Sequence, residues 1–169
     1  MMCSKVSVFL LAVASIILAS TGFASAQIVA FGHSAARGHV EENEMWPAVL
    51  EGMLRAKGRD VHVINAGVNG ETTAQGLSRL DSAIPNGTKI VILTYNGFND
   101  ARKLIDGKVH AQANIEAMKN KIRARGIRLI DAMPLYTSLW RHKELDLPDG
   151  NHLNVEGNRR LAAMLARML

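Results

Sequence analysis

The chain has a single cysteine, Cys3, and it lies at the very start of the sequence. Were the first residues removed, nothing would remain to form a disulfide, to act as a thiol nucleophile or to hold a metal through sulfur. Aromatic residues are only 5% of the chain, which argues against stacking on nucleic-acid bases as its main business. No run of like charge occurs either. The formal charge is +5, but the helix-like stretches mix both signs, so the basic balance reads as a solvated surface, with an attraction for acidic substrates second. No internal repeat and no low-complexity linker appears. The 169 residues suffice for one domain with a real core and not for two ordinary ones.

What the chain does have begins with three-part grammar at the N-terminus. Met1 to Lys5 carries one positive charge, Val6 to Phe23 is almost wholly apolar or small, and Ala24-Ser25-Ala26 is an A-x-A site followed by Gln27. That pattern predicts a secretory signal peptide over residues 1–26, a mature domain over residues 27–169, and a secreted or periplasmic location. The alternative is a retained membrane anchor, since the apolar run approaches spanning length. Ser15, Ser20 and Thr21 within the run favour removal, leaving no stable membrane anchor.

The rest alternates. Apolar runs predict strands over Ile28 to Phe31, Val61 to Ala66, Ile90 to Leu93 and Ile127 to Ala132. Helical spacing predicts helices over Glu44 to Lys57, Thr72 to Ile84, Gln112 to Arg125 and Val155 to Met168. Strand and helix in strict alternation mean a parallel sheet covered by helices on both faces.

In such a sheet ligands bind at the carboxyl ends of the strands. The first strand is followed by Gly32-His33-Ser34, the second by Gly67-Val68-Asn69-Gly70, and the third by Asn96-Gly97-Phe98-Asn99-Asp100. Asp149-Gly150-Asn151-His152 precedes the last helix. These are the parts of an acyl-transfer site. Ser34 supplies a hydroxyl that a base must deprotonate, and His152 is such a base near neutral pH. Asp149 can fix the imidazole's tautomer and offset its charge. The backbone N–H groups of Ser34 and Gly67 and the side-chain amide of Asn99 can meet a developing oxyanion. Each residue also has a plainer reading. Ser34 alone suits a helix N-cap, Gly67 and Gly97 suit turns, Asn99 and Asp100 suit turns or caps, and Asp149-Gly150 is an ordinary turn dipeptide. Asn154 suits the N-cap of the closing helix. Convergence of four weak signals on the ligand-binding edge favours the chemical reading.

Four blocks carry a family resemblance. Ile28 to Gly38 reads I-V-A-F-G-H-S-A-A-R-G, Asn65 to Thr73 reads N-A-G-V-N-G-E-T-T, Gly97 to Asp100 reads G-F-N-D, and Asp149 to Asn154 reads D-G-N-H-L-N. In order and over nearly all of residues 27–169, they resemble the blocks of the SGNH (GDSL) hydrolases. Short length and Trp46-Pro47 look most like the bacterial arylesterase, acyl-CoA thioesterase I and lysophospholipase type. The resemblance implies a flavodoxin-like three-layer α/β/α sandwich with four to five parallel strands. It implies Ser34 as nucleophile, His152 as base, Asp149 as its orienter, and Ser34, Gly67 and Asn99 as the oxyanion hole. It implies an acyl ester or thioester as the small-molecule substrate, with no metal or organic cofactor and no nucleic acid. The absence of G-x-S-x-G argues against the larger α/β-hydrolase fold.

Two departures stand out. The family carries Asp before its nucleophile, and this chain carries His33. An imidazole there is bulkier, can take the opposite charge, and can disturb Ser34 or compete with His152 for its proton. It keeps open a second reading, a degenerate member that binds a ligand or glycan without cleaving it. Between Ile130 and Asp149 there is little room for the extra helix and strand of longer relatives. A fifth strand is then absent or a stub, and Tyr136, Leu139 and Trp140 either line an acyl pocket or cover the core from a loop.

Overall fold

A computed structural model describes residues 26–103 and 107–169. The expected signal segment lies outside the described residues except for Ala26, the first residue of β1 (Ala26–Gly32). The other strands are β2 (Val61–Gly67), β3 (Thr88–Thr94) and β4 (Arg128–Asp131). They form one parallel sheet in the order β2-β1-β3-β4. Gly32 pairs with Gly67 on one side and Thr94 on the other, so three strands finish level and release their loops along one edge.

Each strand faces two cores, as period-two side-chain alternation requires. Ile28, Ala30, Val61, Val63, Ile92 and Ile130 point to one face; Val29, Phe31, Val91 and Leu93 point to the other. On the first face lie α1 (Ser34–Arg37), α2 (Trp46–Ala56), α6 (Met133–Trp140) and α7 (Val155–Met168). On the second lie α3 (Thr73–Ala83) and α5 (Gly107–Ala124). A short α4 (Phe98–Arg102) follows β3. The architecture is the expected three-layer sandwich.

The helices form where local chemistry supports them. Trp46, Leu50 and Leu54 place one stripe of α2 in the core at fourfold spacing, and Pro47 occupies its first turn. Thr72 and Gln75 close a reciprocal capping box on α3. Asn154 caps α7 by accepting from the Gly157 N–H at 3.0 Å, as its plainer sequence reading anticipated. Trp46 ties three elements together: its indole donates to Ala35 O at 2.8 Å and its backbone N–H to Asn158 Oδ1 at 3.0 Å.

One expectation is corrected, and the strand count falls at the lower end of the expected four to five. The stretch after β4 does hold a further helix, α6, with Pro134 in its first turn and Tyr136 and Leu139 buried. Eight residues are too few to show a period in sequence. The sheet has four strands among the described residues, and no fifth joins β4. Chain closure after α6 is instead an isolated antiparallel bridge between Asp146 and Leu153.

Candidate active site

The site is assembled on the strand ends. Gly32 closes β1, His33 caps α1, and Ser34 is the first residue of that helix. His33 Nδ1 accepts the Ala35 N–H at 3.2 Å, and Nε2 lies 3.1 Å from Asn96 Oδ1. An imidazole that accepts at Nδ1 carries its one proton on Nε2 and donates it to the amide oxygen. Burial is the main reason its pKa falls to about 4, so the ring is neutral near pH 7. His33 therefore brings no positive charge beside Ser34 and is a poor competitor for its proton. The N-cap that the plainer reading gave to Ser34 belongs to His33.

His152 reaches Ser34 from the loop that precedes α7. Its Nε2 stands 2.9 Å from Ser34 Oγ and its Nδ1 2.6 Å from Asp149 Oδ2. Asp149 Oδ1 also accepts the backbone N–H groups of Asn151 and His152, at 2.9 and 3.1 Å. This Asx turn aims the carboxylate and fixes the loop in one stroke. Burial works to raise the Asp149 pKa, but the hydrogen bonds from His152 and these amides outweigh it and hold the carboxyl below the usual range. With Asp149 ionised, Nδ1 keeps its proton and Nε2 is left to accept from the serine hydroxyl. The Trp140 indole secures the same loop, donating to Gly150 O at 2.8 Å. His39 packs on His152 with ring centroids 3.8 Å apart. Partial burial and the adjacent His152 hold the His39 pKa down.

The expected oxyanion donors separate. Asn99 lines the cavity at Ser34 and gives one amide hydrogen to Glu71 O at 2.9 Å, leaving the other. Gly67 does not suit the role given to it. Its N–H is taken by Asn65 Oδ1 at 3.1 Å, and the residue is not part of the cavity lining. Its lack of a side chain serves packing instead: a Cβ there would stand 2.2 Å from the Arg37 backbone nitrogen, so glycine lets α1 seat on the end of β2. Gly70, three residues on, is in the lining and sits at φ +70°, a conformation that favours glycine. The backbone N–H groups of Ser34 and Gly70 find no acceptor among the described residues. The signal for Gly70 in sequence was the Asn69-Gly70 turn dipeptide; the spacing of glycines alone does not separate it from Gly67.

The cavity encloses about 180 Å³. Phe98, Met133, Tyr136 and Trp140 give it an apolar wall, and His39, Asn69, Asn96 and Arg102 a polar one. Tyr136 and Trp140 thus line it from α6, whereas Leu139 is buried in the core. A wider groove of about 800 Å³ shares Asn96, Phe98 and Met133 with it but does not touch Ser34 or His152. Among the described residues no three His, Cys, Asp or Glu side chains converge as a metal cage requires.

A parallel three-layer sandwich with a Ser-His-Asp relay at the carboxyl edge of its sheet defines a class of serine-hydrolase-like proteins. Residues 30–146 match the GDSL-like lipase/acylhydrolase family, and the chain belongs to that family. It is 30% identical over 114 residues to an arylesterase of Vibrio mimicus, covering 67% of this chain and 56% of that protein. It is 31% identical over 97 residues to the esterase TesA of Pseudomonas aeruginosa, covering 57% of this chain and 47% of that protein. The aligned part thus spans about half the length of these curated relatives. Among solved structures it resembles the psychrotrophic esterase EstA from Pseudoalteromonas sp., with TM-score 0.68 and 20% identity over 83% of this chain and 94% of that one. A TesA crystal structure gives TM-score 0.67 and 22% identity over 85% of this chain and 97% of that one. These structural likenesses show the shared fold.

Proposed function

We propose that the chain is a serine hydrolase of short acyl esters, thioesters included, working through an acyl-Ser34 intermediate. The observation that carries this is the continuous relay from Asp149 through His152 to Ser34 Oγ, at 2.6 and 2.9 Å. Ser34 Oγ attacks the acyl carbon while its proton passes to His152 Nε2. The imidazolium so formed is offset by Asp149 and then protonates the leaving alkoxide or thiolate. Water then attacks the acyl carbon as His152 Nε2 takes its proton; the acyl–Oγ bond breaks, His152 returns the proton to Ser34 Oγ, and the acid leaves. The oxyanion of each tetrahedral intermediate would be met by the N–H groups of Ser34 and Gly70 and by the free amide hydrogen of Asn99. A cavity of about 180 Å³ is below the usual range for drug-sized ligands, which favours a short acyl chain.

The names of the relatives support the same reading: they are an arylesterase and an esterase. A neutral, hydrogen-bonded His33 weighs against the non-cleaving reading. A fluorophosphonate probe tests both. The parent is expected to label, and Ser34→Ala to lose label and ester hydrolysis together. A parent that folds yet shows no Ser34-dependent labelling would sink the catalytic proposal and leave the binding one. We propose too that the chain is exported and trimmed after Ala26, on the sequence pattern alone; intact mass of the exported protein checks this, with Gln27 as the expected first residue.

A further inference from the structure

The two donors that would assist Ser34 both depend on one buried residue, Glu71. Gly70 immediately precedes it, and the Glu71 carbonyl accepts from Asn99 Nδ2 at 2.9 Å. That bond occupies one amide hydrogen of Asn99 and so dictates where the other points. The Glu71 side chain turns inward, and the residue is 7% exposed. Arg79 Nε meets Oε1 at 2.6 Å and Nη2 meets Oε2 at 2.6 Å, a fork-on-carboxylate pairing. The Tyr95 hydroxyl donates to Oε2 as well.

The brace is itself anchored to the sheet. Arg79 Nη2 also lies 3.0 Å from Ala66 O and 3.3 Å from Gly32 O, at the ends of β2 and β1. Its guanidinium carbon sits 4.6 Å over the Phe31 ring. Tyr95 fits a notch in α3 made by Gly76, where a Cβ would come 2.3 Å from the phenol oxygen. The Tyr95 ring stands edge-on to His33, centroids 5.7 Å apart, and His33 caps the helix that bears Ser34. Buried ion pairs add little net stability against an apolar substitute, so stability alone is a thin account of this one. A donor site for an oxyanion, by contrast, works only if it is rigid before charge develops.

We infer that Glu71 is the positioning residue of the oxyanion pocket, with Arg79 and Tyr95 as the brace that holds it. This rests on the esterase reading above. Glu71 is not in the cavity lining; it sets the Gly70 N–H and the Asn99 amide in register with Ser34. Donors of this kind act on the transition state more than on bound substrate, so a fault in the brace appears in kcat with KM nearly unchanged.

The experiment is steady-state hydrolysis of p-nitrophenyl acetate by the parent, Glu71→Gln, Arg79→Lys and Tyr95→Phe. Thermal melts and the NMR signals of the Gly70 N–H and Asn99 side-chain amide are recorded for each. Displacing donors by about an ångström predicts a loss of about 100-fold in kcat for Glu71→Gln, with KM within about threefold. Tyr95→Phe keeps the ion pair and the ring contacts with His33 and Phe31, so a loss of about fivefold is expected, with the amide signals moved. Should Glu71→Gln not fold, Tyr95→Phe decides. Folded variants with parental kcat, a loss confined to KM, or unmoved Gly70 and Asn99 signals would overturn the inference. A parent that neither hydrolyses the ester nor takes a phosphonate at Ser34 defeats the esterase reading instead. The two amide signals then still decide whether Glu71 holds these groups.

Discussion

Acid should weaken this fold through His33 before it protonates most carboxylates. The imidazole is 5% exposed and holds the Ala35 N–H through a lone pair that protonation would remove. Its pKa is lowered from 6.5 to about 4, first by burial. A folded-state pKa below the unfolded value means that the unfolded chain binds the proton more readily. The stability that neutral His33 contributes is therefore complete above about pH 6.5, declines as pH falls through the window, and is gone below about pH 4. That difference between folded and unfolded chain corresponds to about 3 kcal/mol in all, most of which should be lost between about pH 7.5 and pH 4.5. Urea denaturation at those two pH values measures it, with His33→Asn as the reference. Asparagine is a good N-cap and does not titrate, so its variant should lose about 2 kcal/mol less than the parent over the same interval. Equal losses in the two proteins would refute the reasoning, because the acid sensitivity would then belong to other groups.

The remaining predictions concern the relay and its loop. Asp149→Asn should leave the fold intact but lower kcat by about 10³- to 10⁴-fold, since the amide no longer enforces the Nδ1–H tautomer of His152; ester kinetics read this directly. Gly67→Ala and Gly70→Ala should divide packing from chemistry. The first forces a Cβ against the Arg37 backbone and should cost about 2–3 kcal/mol in denaturation. The second meets an open space but a positive φ, and should cost only about 1 kcal/mol while lowering kcat as the donor shifts. His39→Ala removes the ring stacked on His152 and should reduce kcat about fivefold, as the loss of an aromatic contact of about 1 kcal/mol implies.

The sandwich was legible because its main elements are long and periodic. Leu50 and Leu54, Met118 and Ile122, and the Ile28 to Phe31 run each declare a buried face without help from tertiary context. The pieces that escaped are short and decided by packing: α1, α4 and α6 hold four, five and eight residues, too few to establish a period. The relay was legible for a different reason. Asp149 and His152 lie within one tight turn, so their pairing is local; only the approach of Ser34 across 118 positions needed the fold. Gly67 and Gly70 could not be ranked from sequence, because both are glycines just after a strand. What separates them is non-local: Asn65 takes one N–H, and the seating of α1 fills the space beside it.

His33 shows why a departure from a family pattern has to be judged by the job of the position. Capping α1 needs an acceptor for the Ala35 N–H, and a carboxylate and a neutral imidazole both provide one. The imidazole adds an N–H that Asn96 accepts, and it keeps a negative charge away from the place where an oxyanion would form. Asp, with an ordinary pKa of about 3.9, would stay ionised in the folded and unfolded chain alike over most of the pH window of His33, whereas the unfolded imidazole takes up its proton near pH 6.5. His33→Asp should thus preserve the cap, flatten the loss of stability between about pH 6.5 and pH 4, and change kcat by less than about tenfold. Ester kinetics of the parent and this variant decide the matter. A parent without activity that gains it with Asp at this position would mean that His33 disables Ser34, and that the chain binds its ligand without cleaving it.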